Sequence, residues 1–73
     1  MTKTEMLFLG MFVGCIAVRG FSENEAINSA LKLLEEIKEE LSITHIEGIA
    51  YDKREPLLRL VLQTCTDILD EPF

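Results

Sequence analysis

The carboxylates of one short run, EEIKEE at residues 35–40, are the side chains of this sequence best placed to do chemistry. Glu35, Glu36, Glu39 and Glu40 lie on the polar side of a helical pattern, near the end where the helix dipole disfavours negative charge. Glu36 and Glu40 also repel each other, because they are four residues apart. Carboxylates held at such a cost indicate a surface that binds a basic partner. The alternative is a solvated face that neighbouring lysines partly neutralise.

The remaining reactive residues predict no catalytic or metal site. The chain has one histidine and two cysteines, which gives no zinc-binding spacing. His45 has Glu47 and Asp52 near it in sequence, but a single histidine in an isoleucine-rich loop is typical of a packing or capping residue. No serine–histidine or cysteine–histidine pair can be assembled by spacing, and no glycine-rich phosphate loop is present. We therefore expect a non-catalytic protein without metal or cofactor.

The acidic run nevertheless resembles the EExxE half of the signature of MazG-type nucleotide pyrophosphohydrolases, through Glu35, Glu36 and Glu39. Those all-α enzymes hold magnesium between carboxylates of two helices, so the resemblance implies a Mg²⁺-dependent hydrolase. The second half of the signature, ExxD, is represented by Asp67 and Asp70, with aspartate in place of glutamate and at the end of the last helix. Magnesium requires these carboxylates to converge. A MazG-like enzyme is therefore kept as an alternative function.

A second stretch, RGFSENEAINSALKLLEE at residues 19–36, is similar to the second helix of ribbon-helix-helix repressors, where a serine-capped helix follows a glycine turn. That resemblance implies an obligate dimer with a DNA-reading strand before the first helix, for which only MTKTE is available. The net charge is −6, and the seven lysines and arginines are scattered. Binding to a phosphate backbone requires clustered basic residues. We expect no nucleic-acid partner.

Two amphipathic helices must position these residues. Ser22 and Glu25 form a capping-box pattern, and apolar residues then recur every three or four positions, which predicts a helix over about 23–41. Proline is favoured at the first helical position, so the next helix is predicted to begin at Pro56 and to span about 56–70. Its predicted apolar stripe comprises Leu57, Leu58, Val61, Leu62, Cys65, Ile68 and Leu69, with Leu60 outside it. Between the helices, residues 42–55 either continue the earlier helix by a turn or tuck isoleucines under the bundle, with Gly48 as the expected break.

The opening stretch differs from both, because MLFLGMFVGCIAV at residues 6–18 contains no charge and no side-chain amide. Thr2 or Thr4 can cap a helix over about 4–19, with Gly20 as its left-handed terminator. Thirteen residues span only about 20 Å of helix, against a bilayer core of about 30 Å. A membrane anchor at residues 6–18 is an alternative function, while a signal peptide is disfavoured by the poor cleavage pattern.

A helix that is apolar all round needs cover all round, and two amphipathic helices cover only part of it. We expect the remaining face to be an interface between two copies of the chain, in preference to a monomer with an exposed apolar patch. Glycines one turn apart allow another backbone to approach closely. The residues predicted to carry self-association are Phe8, Gly10, Met11, Phe12 and Gly14.

Taken together, the sequence predicts one all-α domain of three helices with a hydrophobic N-terminal helix at its centre, dimeric, over residues 1–73. A domain of this size has a marginal core of its own. Cys15 and Cys65 are too few for a disulfide framework, so we expect reduced thiols and a cytoplasmic protein, the alternative being a single bridge between helices. The predicted function is a small acidic protein-binding module that docks onto a protein partner with a basic or an apolar surface. Viruses and mobile elements use proteins of this kind as inhibitors of host enzymes.

Overall fold

The fold is a bundle of three helices, seen in a computed structural model that describes residues 2–46 and 51–70. The helices are α1 (Lys3–Val18), α2 (Glu23–Glu40) and α3 (Tyr51–Asp70), and no strand occurs in the described residues. Helix α1 has more contacts with α2 and with α3 than those two have with each other, so it is the central helix. The predicted all-α, three-helix architecture is confirmed, while the dimer stays a prediction.

Local hydrogen bonds explain where α1 and α2 begin. The hydroxyl of Thr2 accepts a hydrogen bond from the Glu5 N–H at 3.2 Å, and Ser22 does the same for the Glu25 N–H at 3.3 Å. Each bond satisfies one of the amide groups that a helix start leaves without an intrahelical partner. Gly20 follows the end of α1 with φ +93°, the left-handed conformation that glycine adopts without steric cost. Both helices thus start at capping residues that the sequence identifies.

The cap at Ser22 yields the first testable prediction. Ser22→Ala removes the hydroxyl that accepts from Glu25, so it should lower the free energy of unfolding by about 1 kcal/mol. Urea unfolding followed by circular dichroism measures this loss. Ser22→Asp keeps an acceptor at the same place and should remain within about 0.5 kcal/mol of the unsubstituted protein. Equal losses from the two variants would contradict the capping role.

The end of α2 is closed by backbone geometry that the sequence left open. Ser42 has φ +56°, the Ser42 N–H donates to the Glu39 carbonyl at 3.1 Å, and the Ile43 N–H donates to the Lys38 carbonyl at 3.0 Å. This pair of bonds is a Schellman motif, which terminates a helix. The chain then leaves the helix and buries Ile46 under the bundle. Gly48, the predicted break, lies outside the described residues.

Helix α3 begins earlier than predicted, at Tyr51 instead of Pro56. A proline in the second turn removes one intrahelical hydrogen bond and crowds the carbonyl four residues before it, so the helix passes through it only when other contacts hold that turn. One such contact is the Lys53 ammonium, which donates to the Leu41 carbonyl at 2.9 Å. A second is Leu57, which is buried in the core. The predicted start was wrong because tertiary contacts outweighed the local preference of proline.

The core lies along one side of α1. Phe8, Phe12 and Ile16 repeat at intervals of four residues and are buried against the two other helices. The core residues from the rest of the chain are Ala26, Ala30, Leu34, Ile37, Ile46, Leu57, Val61 and Ile68. Since α1 turns only one side to this core, its other side has no cover from the residues that the structure describes.

Candidate functional site

The uncovered side of α1 is apolar. Leu7 is 63% exposed, Met11 39% and Val18 79%, although all three belong to the uncharged stretch. Gly10 and Gly14 lie between them and are exposed as well. Large apolar side chains at such exposure are individually ordinary, but a contiguous group of them on one helix face marks an interaction site.

The two glycines on this side are not explained by packing within the chain. Apart from the adjoining residues and the nearby backbone of α1 itself, no atom of the described residues lies within 4 Å of the place where a Cβ on Gly10 or Gly14 would stand. Each glycine lowers helix stability by about 1 kcal/mol relative to alanine, and no neighbouring helix uses the space. The glycines therefore leave a shallow, open strip along α1.

Two residues of the predicted self-association set belong elsewhere. Phe8 is 8% exposed and Phe12 is fully buried, both against the chain's own α2 and α3. They follow Glu5 on the inward side at helical spacing, opposite to the glycines. Their placement on a surface has to be corrected, because one helix cannot present residues 8 and 12 on the same side as residues 10 and 14. Gly10, Met11 and Gly14 remain candidates.

Helix α3 contributes a second apolar strip that the sequence placed in the core. Leu58 is 54% exposed, Leu62 62% and Leu69 47%, whereas Leu60, predicted to lie outside the stripe, packs against the core. Apolar residues cover more of α3 than one packing face can bury. The tertiary arrangement therefore decides which of them remain outside, and here it exposes the strip of Leu58, Leu62 and Leu69.

The register between α1 and α3 brings the two strips to the same side. The Arg19 guanidinium donates to the carbonyls of Ile68 (3.3 Å) and Leu69 (2.7 Å). One turn earlier on each helix, Cys15 lies beside Cys65. The helices therefore run in the same direction, with residues about fifty apart in number at the same level. Successive residues of a helix are rotated by about 100°. The exposed strips of α1 and α3 therefore lie on either side of the seam along which these two helices meet. We call this surface the outer apolar face, and it comprises Leu7, Gly10, Met11, Gly14, Val18, Leu58, Leu62 and Leu69.

Negative charge is concentrated on a different helix. Helix α2 carries six glutamates and two lysines, a sum of −4, whereas Lys3 and Glu5 of α1 cancel. The predicted partner-binding residues Glu35, Glu36, Glu39 and Glu40 are all exposed on α2. Glu35 makes a 3.4 Å ion pair with Lys38 within the helix. The acidic face of α2 and the outer apolar face are thus separate surfaces.

The acidic residues that resemble a magnesium site do not come together in the structure. Helix α2 ends beside the beginnings of α1 and α3, as the contacts of Lys38 with Glu5 and of Lys53 with Leu41 show. Asp70 lies at the other end of the bundle, where α3 ends near Arg19. Among the described residues, no three histidine, cysteine or acidic side chains gather closely enough to hold a metal ion. The two halves of the MazG-like pattern therefore lie at opposite ends.

A buried carboxylate that directly precedes the uncharged stretch of α1 joins three segments of the chain. Glu5 is 3% exposed, accepts the Ile46 N–H at 3.2 Å and pairs with the Lys38 ammonium at 3.2 Å. Burial raises the pKa of Glu5, but the bond from Ile46 and the Lys38 ammonium outweigh it and hold that pKa below its usual value. Burial likewise lowers the pKa of Lys38, and the contact with Glu5 reverses the shift, so that it is raised. The signal that could have revealed this site is an acidic residue one turn before Phe8, in register with the core.

His45 lies at the edge of the same cluster without being enclosed by it. Its side chain is 75% exposed, and its Nδ1 is 3.9 Å from the Glu5 carboxylate. Glu47, its other suggested partner, lies outside the described residues. This arrangement corresponds to a surface histidine beside a structural ion pair.

Within residues 2–46 and 51–70, none of the helices has the combination of length and hydropathy that a membrane crossing requires. Comparison with known proteins found no matching family model, curated protein or solved structure. The function of this chain therefore has to be argued from its own surfaces.

Proposed function

We propose that this chain is a small, cytoplasmic, non-catalytic protein-binding module that self-associates through the outer apolar face. The observation that carries the proposal is the joint exposure of two apolar strips, on α1 and α3, that share one side of the bundle. Covering two large apolar side chains contributes about 3–6 kcal/mol, comparable with the whole stability of a small domain.

The partner that fits this face best is a second copy of the chain. Copies of a chain with net charge −6 repel each other, but the negative charge is concentrated on α2, away from the outer apolar face. Two copies related by a two-fold axis would bring α1 against α1, with the strip of Gly10 and Gly14 allowing the backbones to approach. The same contact would cover Met11 and Leu62 of both copies.

A lysine in the centre of the face tests the dimer. Leu62→Lys should shift the molar mass measured by light scattering from two chains to one and leave the helical circular dichroism unchanged, because Leu62 is 62% exposed. The matched control is Glu36→Lys, which adds a lysine on the acidic face and should keep the dimer. A monomeric unsubstituted protein at high micromolar concentration would contradict the proposal, as would a Leu62→Lys variant that stays dimeric.

The glycines allow a second test, in which one substitution should stabilise the monomer and weaken the dimer. In an isolated chain, Gly14→Ala should raise the free energy of unfolding by about 1 kcal/mol, because a Cβ there meets no described atom. In a dimer packed through this strip, the added methyl group separates the backbones and should raise the dissociation constant. A variant that is more stable as a monomer and weaker as a dimer fits the proposal. An unchanged dissociation constant would remove the glycine strip from the interface.

The acidic face of α2 supplies the second part of the proposal. Glu36, Glu39 and Glu40 are exposed, and a dimer formed through α1 would present two such faces outward. We propose that they bind a basic surface on another macromolecule, in the manner of a viral or mobile-element inhibitor that occludes a host enzyme. Reversing Glu36 and Glu40 to lysine should abolish capture of the partner and preserve the dimer. Capture that survives the reversal would show that these carboxylates only solvate the helix.

A further inference from the structure

Two cysteines from different helices meet at the seam between α1 and α3. Cys15 and Cys65 are both free, both partly buried, and both packed against the core. They lie close enough for Cys15 to influence the pKa of Cys65. One turn further along both helices, Arg19 donates to the Leu69 carbonyl at 2.7 Å. Since Arg19 and Leu69 each follow a cysteine by four residues, the hydrogen bond independently places the two thiols at the same level.

We propose that Cys15 and Cys65 form a reversible intramolecular disulfide that ties α1 to α3. A disulfide requires two side chains that point at each other from closely approaching backbones. Cys15 and Cys65 lie at the same level of two parallel neighbouring helices and pack against the same core, which places them for such a bond. The bond would fix the outer apolar face, because the strips of Leu7 and Leu58 lie on opposite sides of this seam. The proposal goes beyond self-association and holds for a monomer as well as for a dimer.

The chemistry is an exchange with a small-molecule disulfide such as oxidised glutathione. Burial, and then the neighbouring Cys15, raise the pKa of the Cys65 thiol to about 11, so Cys65 keeps its proton at neutral pH. The first attack therefore falls to Cys15. Its thiolate attacks one glutathione sulfur, forms a mixed disulfide and releases one glutathione thiolate.

Cys65 completes the exchange. It gives its proton to the released thiolate or to water, attacks the Cys15 sulfur and displaces the second glutathione. The protein dithiol is oxidised by two electrons and the glutathione disulfide is reduced to two thiols, so atoms and electrons balance. The mixed disulfide on Cys15 is a transient species, because the Cys65 thiol lies at the same level of the neighbouring helix.

The experiment is a redox titration of the full chain in buffers of oxidised and reduced glutathione, quenched with an alkylating agent and read by intact mass and peptide mapping. We expect a species two hydrogen atoms lighter than the dithiol, with Cys15 linked to Cys65, and a melting temperature higher by ~10 °C or more. The same titration in urea gives the equilibrium constant for the unfolded chain. The constant for the folded protein should be at least ~10-fold larger, because the fold holds the thiols together.

Single variants complete the test. Cys65→Ser should stop at a stable mixed disulfide on Cys15. Cys15→Ser should react slowly, because burial, the largest cause of the raised Cys65 pKa, remains in that variant. The proposal is overturned if the folded chain accumulates glutathione adducts without losing two hydrogen atoms. It is also overturned if the constants in buffer and in urea are equal, or if the product is a bridge between two chains.

Discussion

Phe12→Ala should lower the free energy of unfolding by about 3–5 kcal/mol, enough to leave much of the chain unfolded at room temperature. Phe12 is fully buried at the centre of the cluster that joins α1 to both other helices. Truncation removes most of a large side chain from a core that has little else to fill the space. Urea unfolding followed by far-UV circular dichroism, at a fixed protein concentration, measures the loss.

The neighbouring methionine provides a matched control for Phe12. Met11 is 39% exposed and belongs to the outer apolar face, so Met11→Ala should cost less than about 1 kcal/mol in the monomer. Phe12→Leu, which keeps most of the volume, should fall between the two. If Phe12→Ala and Met11→Ala were equally mild, Phe12 could not be a core residue of its own chain, and its predicted place in an interface between copies would return.

Glu5→Ala is expected to have the second large effect, a loss of about 3 kcal/mol in the free energy of unfolding. The substitution leaves the Lys38 ammonium, whose side chain is 12% exposed, and the Ile46 N–H without their acceptor. A buried cation and a buried donor that lose their partner carry the full cost of desolvation. The loss is measured by urea unfolding, as for Phe12.

The pH dependence of stability gives the same contact an independent readout. The pKa of Glu5 is lower in the folded chain than its ordinary value of 4.5, so the folded state favours the ionised form. The resulting stability is fully present above pH 4.5 and is lost as the pH falls through the folded pKa. Lys38 behaves in the opposite sense, because its pKa in the folded chain is raised above 10.5. Its contribution is fully present below pH 10.5 and is lost as the pH rises through the raised folded pKa.

Two variants separate the Glu5 contact from general surface charge. Glu5→Gln keeps an acceptor for Ile46 but cannot ionise, so its stability gap to the unsubstituted protein should close as the pH falls below 4.5. Glu35→Gln removes the other carboxylate that pairs with Lys38; since Glu35 is 68% exposed, the change should be below about 0.5 kcal/mol. Equal effects of Glu5→Gln and Glu35→Gln at neutral pH would contradict a buried, structural ion pair.

Much of the secondary structure could be predicted from local sequence. Ser22 before an acidic first turn and Gly20 after an apolar run act through bonds that span only a few residues, so their positions agree with the prediction. The core face of α2 follows from a period of three to four residues in the same way. Pro56 shows the limit of this approach, because its preference for a first turn was outweighed by contacts of Lys53 and Leu57 with distant residues.

The candidate surfaces could be predicted only in part. The exposed carboxylates of α2 could be predicted from the sequence, because charged residues opposite an apolar stripe are stable only on the solvent-exposed side of the helix. Phe12 and Gly10 belong to a stretch in which every side of the helix is apolar, so periodicity does not distinguish the inner side from the outer one. Leu62 poses the same problem in α3, whose apolar residues exceed what one packing face can bury.

The sequence by itself determined that three helices form, where α1 begins and ends, where α2 begins, and that one helix carries the acidic face, because propensity, capping and charge patterning act over a few residues. The tertiary structure decided which side of α1 became core, which leucines of α3 stayed outside, and that Glu5, Lys38 and Ile46 meet. It also decided that Cys15 faces Cys65. These outcomes depend on the register between helices, which is set by the packing of all three together and is not encoded in any one segment.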